Sequence, residues 1–262
     1  MEDAMKTTML TLLAVLTFGC REFVEIDTTP PASPRNISAL ALDNEIQLEW
    51  MRNTENDLAG YNVWSSNRYD GRYELLGTTT STTFSDLRAR NGNTYFYAVS
   101  AFDHSENESD LSYQEVFGTP RPEGFNVPLF ETSSVPEKAG YDFSTYTVGR
   151  FDDRYTDVFY ERKNEASYLS VWSDTDVQDM GYTTSFDEIR TAPSTGWSPS
   201  RRAEVIASHT YVVWTWDNHF AKVRVSKISS TGIVFDWSYQ LAEGNRSLKS
   251  SLSGSERKAL TR

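Results

Sequence analysis

"LRARNGNTYFYAVSAFD", residues 87 to 103, contains the strongest predicted strand in the first half of the chain. Asn91-Gly92 is a strong turn signal, and the residues after it alternate so that Tyr97 and Val99 fall on one inward face. On either side of this strand, further short alternating segments are separated by turn residues, which predicts a β-sandwich. The predicted strands are Arg35–Leu42, Glu45–Trp50, Gly60–Ser66, Tyr73–Thr79, Thr82–Leu87, Thr94–Phe102 and Ser112–Thr119.

Three other stretches belong to the same pattern: IQLEW at 46–50, DLAGYNVWSS at 57–66 and YELLGTT at 73–79. Together with residues 87–103 they resemble the fibronectin type III domain, an immunoglobulin-like sandwich. The resemblance covers residues 34–120 and places Tyr95 at the tyrosine-corner position of the family. Because this fold specifies no ligand, we expect the domain to hold and space the one that follows.

Length and composition favour two β-rich domains. The chain has 262 residues, which suits two modest domains better than one large core. Aromatic residues make up 13%, and Gly and Pro lie between short apolar runs, which favours strands over helix bundles. The formal net charge of -12 gives an acidic surface that repels phosphate backbones, so we expect no nucleic-acid partner.

The N-terminus is predicted to be an export signal. In residues 1–19 a lysine precedes an apolar run that is shorter than the roughly 20 residues a membrane-spanning helix needs. Gly19-Cys20 resembles the end of a bacterial lipobox, which implies that Cys20 is lipidated. Thr17 and Phe18 depart from the family pattern, which has Leu and a small residue at these places.

Cys20 is the single cysteine of the sequence, which excludes an intrachain disulfide and a cysteine-based zinc site. Besides lipidation, an ordinary cleaved signal and a buried strand with Cys20 there by chance both stay open. Residues 20–33 are polar and contain prolines, which is typical of a semi-extended tether. We therefore expect an exported protein, held by its N-terminal lipid at the bacterial outer membrane or cell surface.

Residues 121–124 are predicted to form a linker, and residues 125–243 a second, mainly-β domain of unknown role. Its apolar segments are again short, and one helix signal runs from Ser185 as N-cap to Pro193 as stop. Residues 244–262 are Ser-rich and locally basic, and they are predicted to form a disordered tail. The early predicted strands are Tyr141–Tyr146, Asp157–Arg162 and Ser167–Ser173, followed by three longer ones.

The stretch "HTYVVWTWDNHFAKVRV", residues 209 to 225, is predicted to be a hairpin. A two-residue loop at Asp217-Asn218 makes Trp216 face His219. On this register the core face consists of Thr210, Val212, Trp214 and Trp216 opposite Val225, Val223, Ala221 and His219. His209 then lies about 23 Å from the turn at roughly 3.3 Å per residue, so the two histidines cannot bind one metal. Residues 232–240 are expected to add a third strand.

Residues 210–240 also resemble the closing strands of the HmuY-like haem-binding lipoproteins. The sequence departs from that family by having Asn218-His219-Phe220 where the family favours Gly, a basic residue and Tyr. The resemblance implies haem binding, but no residue here matches the ligand motifs. We therefore predict no cofactor and no metal, and haem is kept as a possibility without assigned ligands.

His219, Trp216 and Asp217 are the candidate binding residues, since an indole beside an imidazole can receive a haem edge or a sugar ring. The alternative is that they only close the end of the hairpin. Two weaker candidate sites are a cation site in the acidic loop "DHSENESD" (103–110), which otherwise is a solvated loop, and a calcium site at Asp174, Asp176 and Asp179. Trp172, Trp197, Tyr168 and Tyr182 are expected to form either a carbohydrate platform or core packing.

The sequence contains no Gly-x-Ser-x-Gly elbow, no phosphate loop and no His-Glu-x-x-His motif, so we do not expect an enzyme. The function we predict is an envelope protein in which a fibronectin type III spacer presents a β-rich binding domain to a polysaccharide, haem or a partner protein. One alternative is a structural component of an envelope or secretion assembly that binds only protein. The other is a carbohydrate-active, glycan-cleaving enzyme.

Overall fold

The computed structural model describes residues 27–248 and 251–256. The predicted signal peptide and Cys20 lie outside the described residues. Within the described part, no helix is long and apolar enough to cross a membrane. The N-terminal unit contains seven strands: β1 Arg35–Leu42, β2 Glu45–Met51, β3 Leu58–Ser66, β4 Glu74–Thr79, β5 Thr83–Asp86, β6 Tyr95–Asp103 and β7 Gln114–Gly118. All seven predicted strands are confirmed, with ends that differ by a few residues.

These strands form two facing sheets, β1-β2-β5 and β4-β3-β6-β7. The predicted turn at Asn91-Gly92 has the required backbone, with φ of 83° at Gly92, and the turn between β1 and β2 has φ of 51° at Asn44. Alternation along β2 and β6 buries Trp50, Tyr97 and Val99 between the sheets. The core therefore lies on the face that the sequence pattern predicts.

Two tyrosines of β6 fix this sandwich through their hydroxyl groups. The Tyr95 hydroxyl accepts a hydrogen bond from the Arg90 backbone N–H at 3.1 Å, which is the tyrosine-corner contact expected of this position. The Tyr97 hydroxyl donates to Asp86 Oδ2 at 2.9 Å inside the core. Burial, together with that carboxylate, raises the pKa of Tyr97, so this hydroxyl stays a donor at any physiological pH.

The second unit is a sandwich of two five-stranded sheets. One sheet has the order β10-β9-β11-β12-β14 and the other β13-β15-β16-β17-β8. The short 3₁₀ helix Pro136–Lys138 precedes β9. The strands are β8 Glu123–Phe130, β9 Gly140–Asp142, β10 Thr147–Gly149, β11 Val158–Lys163, β12 Ala166–Ser170, β13 Asp176–Tyr182, β14 Arg202–Glu204, β15 His209–Trp214, β16 Phe220–Ile228 and β17 Gly232–Gln240.

The hairpin β15–β16 has a different register from the predicted one. Its partners are Tyr211 with Val223, Val213 with Ala221 and Trp214 with Phe220, one residue away from the predicted pairing. The core between the sheets therefore receives Tyr211, Val213, Ala221, Val223 and Val225. Val212 and Trp214, predicted to be on the core face, lie on the outer face of the sheet. The slip follows from the loop, which has three residues rather than two.

Residues 183–200, which we call the cover segment, lie across that outer face. Ala192 is fully buried there with Val212, Phe220 and Leu248, and Trp197 packs against the same cluster. The predicted helix from Ser185 to Pro193 is wrong, since residues 185–193 contain turns, bends and an isolated bridge from Thr191 to Ser247 but no helix. Glu188 does accept a hydrogen bond from the Ser185 N–H at 2.8 Å, as a capping box requires. Tertiary packing overrides this local signal.

The predicted disordered tail also differs from the structure. The Leu248 N–H donates to the Arg190 carbonyl at 2.9 Å, and the side chain of Leu248 is buried under the cover segment. A further strand, β18 Ser251–Glu256, then pairs with β1 and β7 and joins the two N-terminal sheets. Backbone groups left open at the sheet edges explain why a polar segment adds as a strand.

The two sandwiches meet directly, because the predicted linker is shorter than expected. Glu123, assigned to the linker by sequence, already begins β8, and Arg121 is buried at 2% exposure. The Arg121 N–H donates to the Leu42 carbonyl at 3.3 Å on one side, while the Pro122 carbonyl accepts from the Tyr239 N–H at 2.9 Å on the other. Backbone hydrogen bonds therefore tie the junction to both units.

Candidate functional site

The loop of the β15–β16 hairpin is closed by backbone and side-chain bonds. The Thr215 N–H donates to the His219 carbonyl at 3.0 Å, and the Asn218 N–H donates to the Thr215 carbonyl at 3.0 Å. Asn218 has a φ of 64°, a left-handed conformation that asparagine tolerates better than most residues. Trp216, Asp217 and Asn218 form the three-residue loop. This geometry holds the predicted candidates Trp216, Asp217 and His219 side by side.

A hydrogen-bonded group of polar side chains lies just below the loop. The Tyr239 hydroxyl is 2.9 Å from His219 Nδ1 and donates towards Asp217 Oδ2 at 3.3 Å. The Thr215 hydroxyl donates to Asp217 Oδ1 at 2.5 Å. Burial raises the pKa of Tyr239, so its hydroxyl keeps its proton. These contacts fix the direction of the Asp217 carboxylate and the His219 ring.

A buried carboxylate is electrostatically coupled to this group. Asp157 is 1% exposed, and its Oδ2 accepts a hydrogen bond from the Phe143 N–H at 2.8 Å. Burial raises the pKa of Asp157 to about 7, and the nearby carboxylates of Asp142, Asp217 and Asp174 push it in the same direction. Asp157 therefore changes its charge near neutral pH.

Two indoles lie at the solvent side of the loop. Trp216 is 55% exposed and Trp214 is 37% exposed. Trp214 Nε1 donates to Asn218 Oδ1 at 2.9 Å, which fixes the orientation of its ring. Trp197 of the cover segment packs beside Trp214, with ring centroids 5.9 Å apart. We call Trp214, Trp216, Asp217, Asn218 and His219 the tryptophan tip.

The tryptophan tip combines two exposed apolar rings with oriented hydrogen-bonding groups. Such a surface suits a ligand that has both C–H faces and hydroxyl groups, because the rings contact the former and the polar side chains bind the latter. Sequence reasoning found Trp216, Asp217 and His219. It missed Trp214, which the predicted register assigned to the core, and Tyr239, Thr215 and Asp157, which no local pattern connects with the loop.

The other predicted aromatic platform is dispersed in the structure. Trp172 packs on Phe159 with centroids 5.0 Å apart and donates through Nε1 to the Phe151 carbonyl. Tyr168 lies under the Arg202 guanidinium, at 4.8 Å. Tyr182 is 67% exposed at the opposite end of β13–β15, where it pairs with His209. Of the four predicted residues, Trp197 alone reaches the tryptophan tip.

The three aspartates proposed for calcium have separate partners. Asp176 forms an ion pair with Arg201. Asp179 Oδ2 lies 3.0 Å from His209 Nδ1. His209 and His219 thus contact different groups at opposite ends of β15. Asp174 Oδ1 accepts a hydrogen bond from the Thr175 hydroxyl at 3.4 Å, so each of the three side chains has a different partner.

The acidic loop 103–110 contributes one residue to another carboxylate cluster. Ligand oxygens of Asp27, Asp57 and Asp103 lie within 4.8 Å of one another. Asn107 Nδ2 donates to Asp103 Oδ2 at 2.8 Å and to the Asp27 carbonyl at 3.1 Å. Glu108, in contrast, turns to Asn62, whose Nδ2 donates to it at 3.0 Å. Close carboxylates are common without an ion, and we assign no function to this cluster.

Comparison with known proteins finds partial matches to two much longer enzymes. No protein-family model matches the chain. An amylopullulanase of Thermoanaerobacterium thermosulfurigenes is 34% identical over 108 residues, which are 41% of this chain and 6% of that protein. An amylopullulanase of Thermoanaerobacterium saccharolyticum is 36% identical over 91 residues, which are 34% of this chain and 7% of that protein. The chain thus spans less than a tenth of the length of either enzyme.

Among solved structures, an Fn3-like protein from Clostridium thermocellum is 32% identical and matches along its whole length, which covers 37% of this chain, with a TM-score of 0.31. The N-terminal unit has the fibronectin type III fold. Its strand order and its tyrosine corner agree with this fold. The whole described chain is all-β, as predicted.

Proposed function

We propose that this chain is an exported accessory protein in which the fibronectin type III domain presents the second sandwich to a polysaccharide. The tryptophan tip is the observation that supports this most directly. Trp216 is more than half exposed at the apex of a hairpin whose polar side chains are already oriented. Trp214 lies beside the same loop, and a group of exposed aromatic rings, rather than a single one, marks a candidate binding surface.

The kind of ligand is supported by the relatives. Both amylopullulanases are, by their names, carbohydrate-active enzymes, and the matched segments of 91 and 108 residues have the length of one domain. A shared spacer domain fits a protein that works at a polysaccharide surface. Because this chain has a formal net charge of -12, it repels acidic polymers, and we propose a neutral polysaccharide as ligand.

The location we propose follows from the N-terminal sequence. Lipidation of Cys20 after removal of residues 1–19 places the protein on the bacterial envelope, and residues 20–33 separate it from the membrane. The assembly component and the glycan-cleaving enzyme are the alternatives to this function.

Affinity gel electrophoresis of residues 21–262 tests the proposal. The gels contain one soluble polysaccharide each, namely starch, pullulan, a β-glucan or an acidic polymer such as alginate. We expect slower migration with at least one neutral polysaccharide and none with alginate. Unchanged migration in every neutral gel contradicts the proposed function. Release of reducing ends from the retained polysaccharide supports the enzyme instead.

A further inference from the structure

Lys222 is a lysine with no exposed surface, although it lies on the outer face of its sheet. The cover segment and Leu248 close over it. Its Nζ lies 3.6 Å from Asp187 Oδ1, and it donates to the Ile189 carbonyl at 3.4 Å and the Leu248 carbonyl at 3.5 Å. The ring of Phe186 lies 4.0 Å from the ammonium group. Three of these four contacts come from the cover segment.

The cover segment connects Lys222 with the tryptophan tip. Lys222 and Phe220 are two residues apart on β16 and share the outer face. Ala192 and Trp197, further along the cover segment, pack on Phe220, with the Trp197 and Phe220 ring centroids 6.4 Å apart. Trp197 also contacts Trp214. If the cover segment separates from Lys222, Trp197 moves with it and its contact with Trp214 changes.

Lys222 is faced by charges from three elements. Burial, and after it the charge of Arg121 from the domain junction, lower the pKa of Lys222 to about 7 against the opposing effects of Asp187 and Glu123. Glu123, the first residue of β8, has a pKa of about 7, raised by burial. Arg121 is itself 2% exposed. In the closed form Lys222 therefore loses its proton above about neutral pH, although Asp187 and the Phe186 ring favour the charged form.

We propose that proton uptake by Lys222 opens the cover segment, so that the tryptophan tip is fully formed only above neutral pH. The part of this inference that concerns ligand binding rests on the proposed polysaccharide function. The part that concerns the cover segment does not depend on that function, because it rests on the burial and the contacts of Lys222. The two are therefore tested by separate measurements.

The direction of the effect follows from proton linkage. When the cover segment opens, Lys222 reaches water and regains an ordinary pKa of about 10.4. The open form then binds a proton more tightly than the closed form does, so protons stabilise the open form. Between pH 7 and pH 10 the opening equilibrium changes by up to about tenfold per pH unit, since one proton is taken up. Below pH 7 both forms are protonated and the effect levels off.

Hydrogen exchange with mass spectrometry measures this opening in residues 21–262. Protection factors of peptides from the cover segment, corrected for intrinsic exchange, are compared at pH 7, 8 and 9. We expect protection to rise severalfold per pH unit in the wild type and in Lys227→Met, whose lysine is exposed on the same strand. Lys222→Met, which keeps an apolar chain of similar length, is expected to show no such rise.

Equal pH dependence in Lys222→Met and wild type overturns the inference, as does pH-independent protection in the wild type. If Lys222→Met does not fold, Asp187→Asn is the second variant, because Asp187 is half exposed. Loss of this carboxylate is expected to make the protection of the cover segment depend more strongly on pH. A weaker pH dependence in Asp187→Asn than in the wild type contradicts the inference. Starch or pullulan affinity at pH 7 and pH 9 is measured separately, so that a protein that opens but binds no glycan refutes only the proposed function.

Discussion

The indole of Trp214 stacks against the ring of Phe220, with centroids 5.7 Å apart and 19° between the ring planes. The two residues are direct partners across the hairpin β15–β16. A shift of one residue in this pairing exchanges the two faces of the hairpin. The contact therefore depends on the three-residue loop, and with it the exposure of Trp214.

The conformation of Asn218 is the first point to test, because this residue combines a φ of 64° with a hydrogen bond to the Trp214 indole. Asn218→Ala keeps neither feature, and we expect it to lower the free energy of unfolding by about 1–3 kcal/mol. Asn218→Gly tolerates the positive φ and loses only the bond, so its loss is expected to be smaller. Urea denaturation of both variants measures this. An alanine variant as stable as the glycine variant contradicts the assigned loop.

Tyr239 holds the polar group under the loop. Tyr239→Phe removes the hydroxyl that contacts both His219 and Asp217, which leaves these side chains short of a partner. We expect a loss of about 1–3 kcal/mol in the free energy of unfolding. Tyr155→Phe is the matched control, since Tyr155 is 50% exposed. Equal denaturation midpoints for the two variants refute the network.

Asp157 gives a pH dependence of stability with a defined sign. Its pKa is raised to about 7, so between about pH 4 and pH 7 the folded chain keeps a proton that the unfolded chain has released. Stability therefore falls as the pH rises through this range and levels off above it. Glu123 acts in the same direction. In Asp157→Asn we expect the free energy of unfolding to fall less steeply with pH, because the folded chain then keeps about one proton fewer in this range.

Urea midpoints at pH 4.5, 5.5, 6.5 and 7.5 measure this slope. Asp153→Asn, which alters an exposed carboxylate, serves as the control and is expected to follow the wild type. A fall that is just as steep in Asp157→Asn as in the wild type shows that the carboxyl group of Asp157 does not titrate with a raised pKa.

Lipidation of Cys20 is tested in the full-length protein by labelling with an alkyne analogue of palmitate. We expect a labelled band in the wild type and none in Cys20→Ala, because the sequence has no other cysteine. Membrane fractionation of the same cells shows whether the variant is released. Equal labelling of the two proteins removes the lipoprotein hypothesis and leaves an ordinary cleaved signal as the next one to examine.

The N-terminal sandwich was predictable from sequence because strands such as β1 and β2 alternate and its turns have Asn or Gly at the required positions. Tyr97 and Val99, for example, are buried as the pattern indicates. In the second unit β8 was not predicted. Pro128 lies within this strand, and a proline normally argues against a strand. The structure places β8 at the edge of its sheet, where a missing N–H is tolerated.

The candidate site was predictable only where its residues are neighbours in sequence. Trp216, Asp217 and His219 adjoin the turn, whereas Tyr239 and Asp157 reach it from strands and loops that are distant along the chain. The register of the hairpin depends on whether its loop has two residues or three, and Asp217-Asn218 is compatible with either length. Sequence reasoning had no means of choosing the three-residue loop before the left-handed conformation of Asn218 was known.

The measurement that most directly tests the central proposal compares Trp216→Ala with Tyr182→Ala in affinity gel electrophoresis on the neutral polysaccharides. Both variants remove an exposed ring, but Tyr182 lies at the other end of the sheet. We expect Tyr182→Ala to be retarded like the wild type and Trp216→Ala to bind at least about tenfold more weakly, a difference of roughly 1.4 kcal/mol. Equal retardation of the wild type and Trp216→Ala, or no retardation of the wild type, contradicts it.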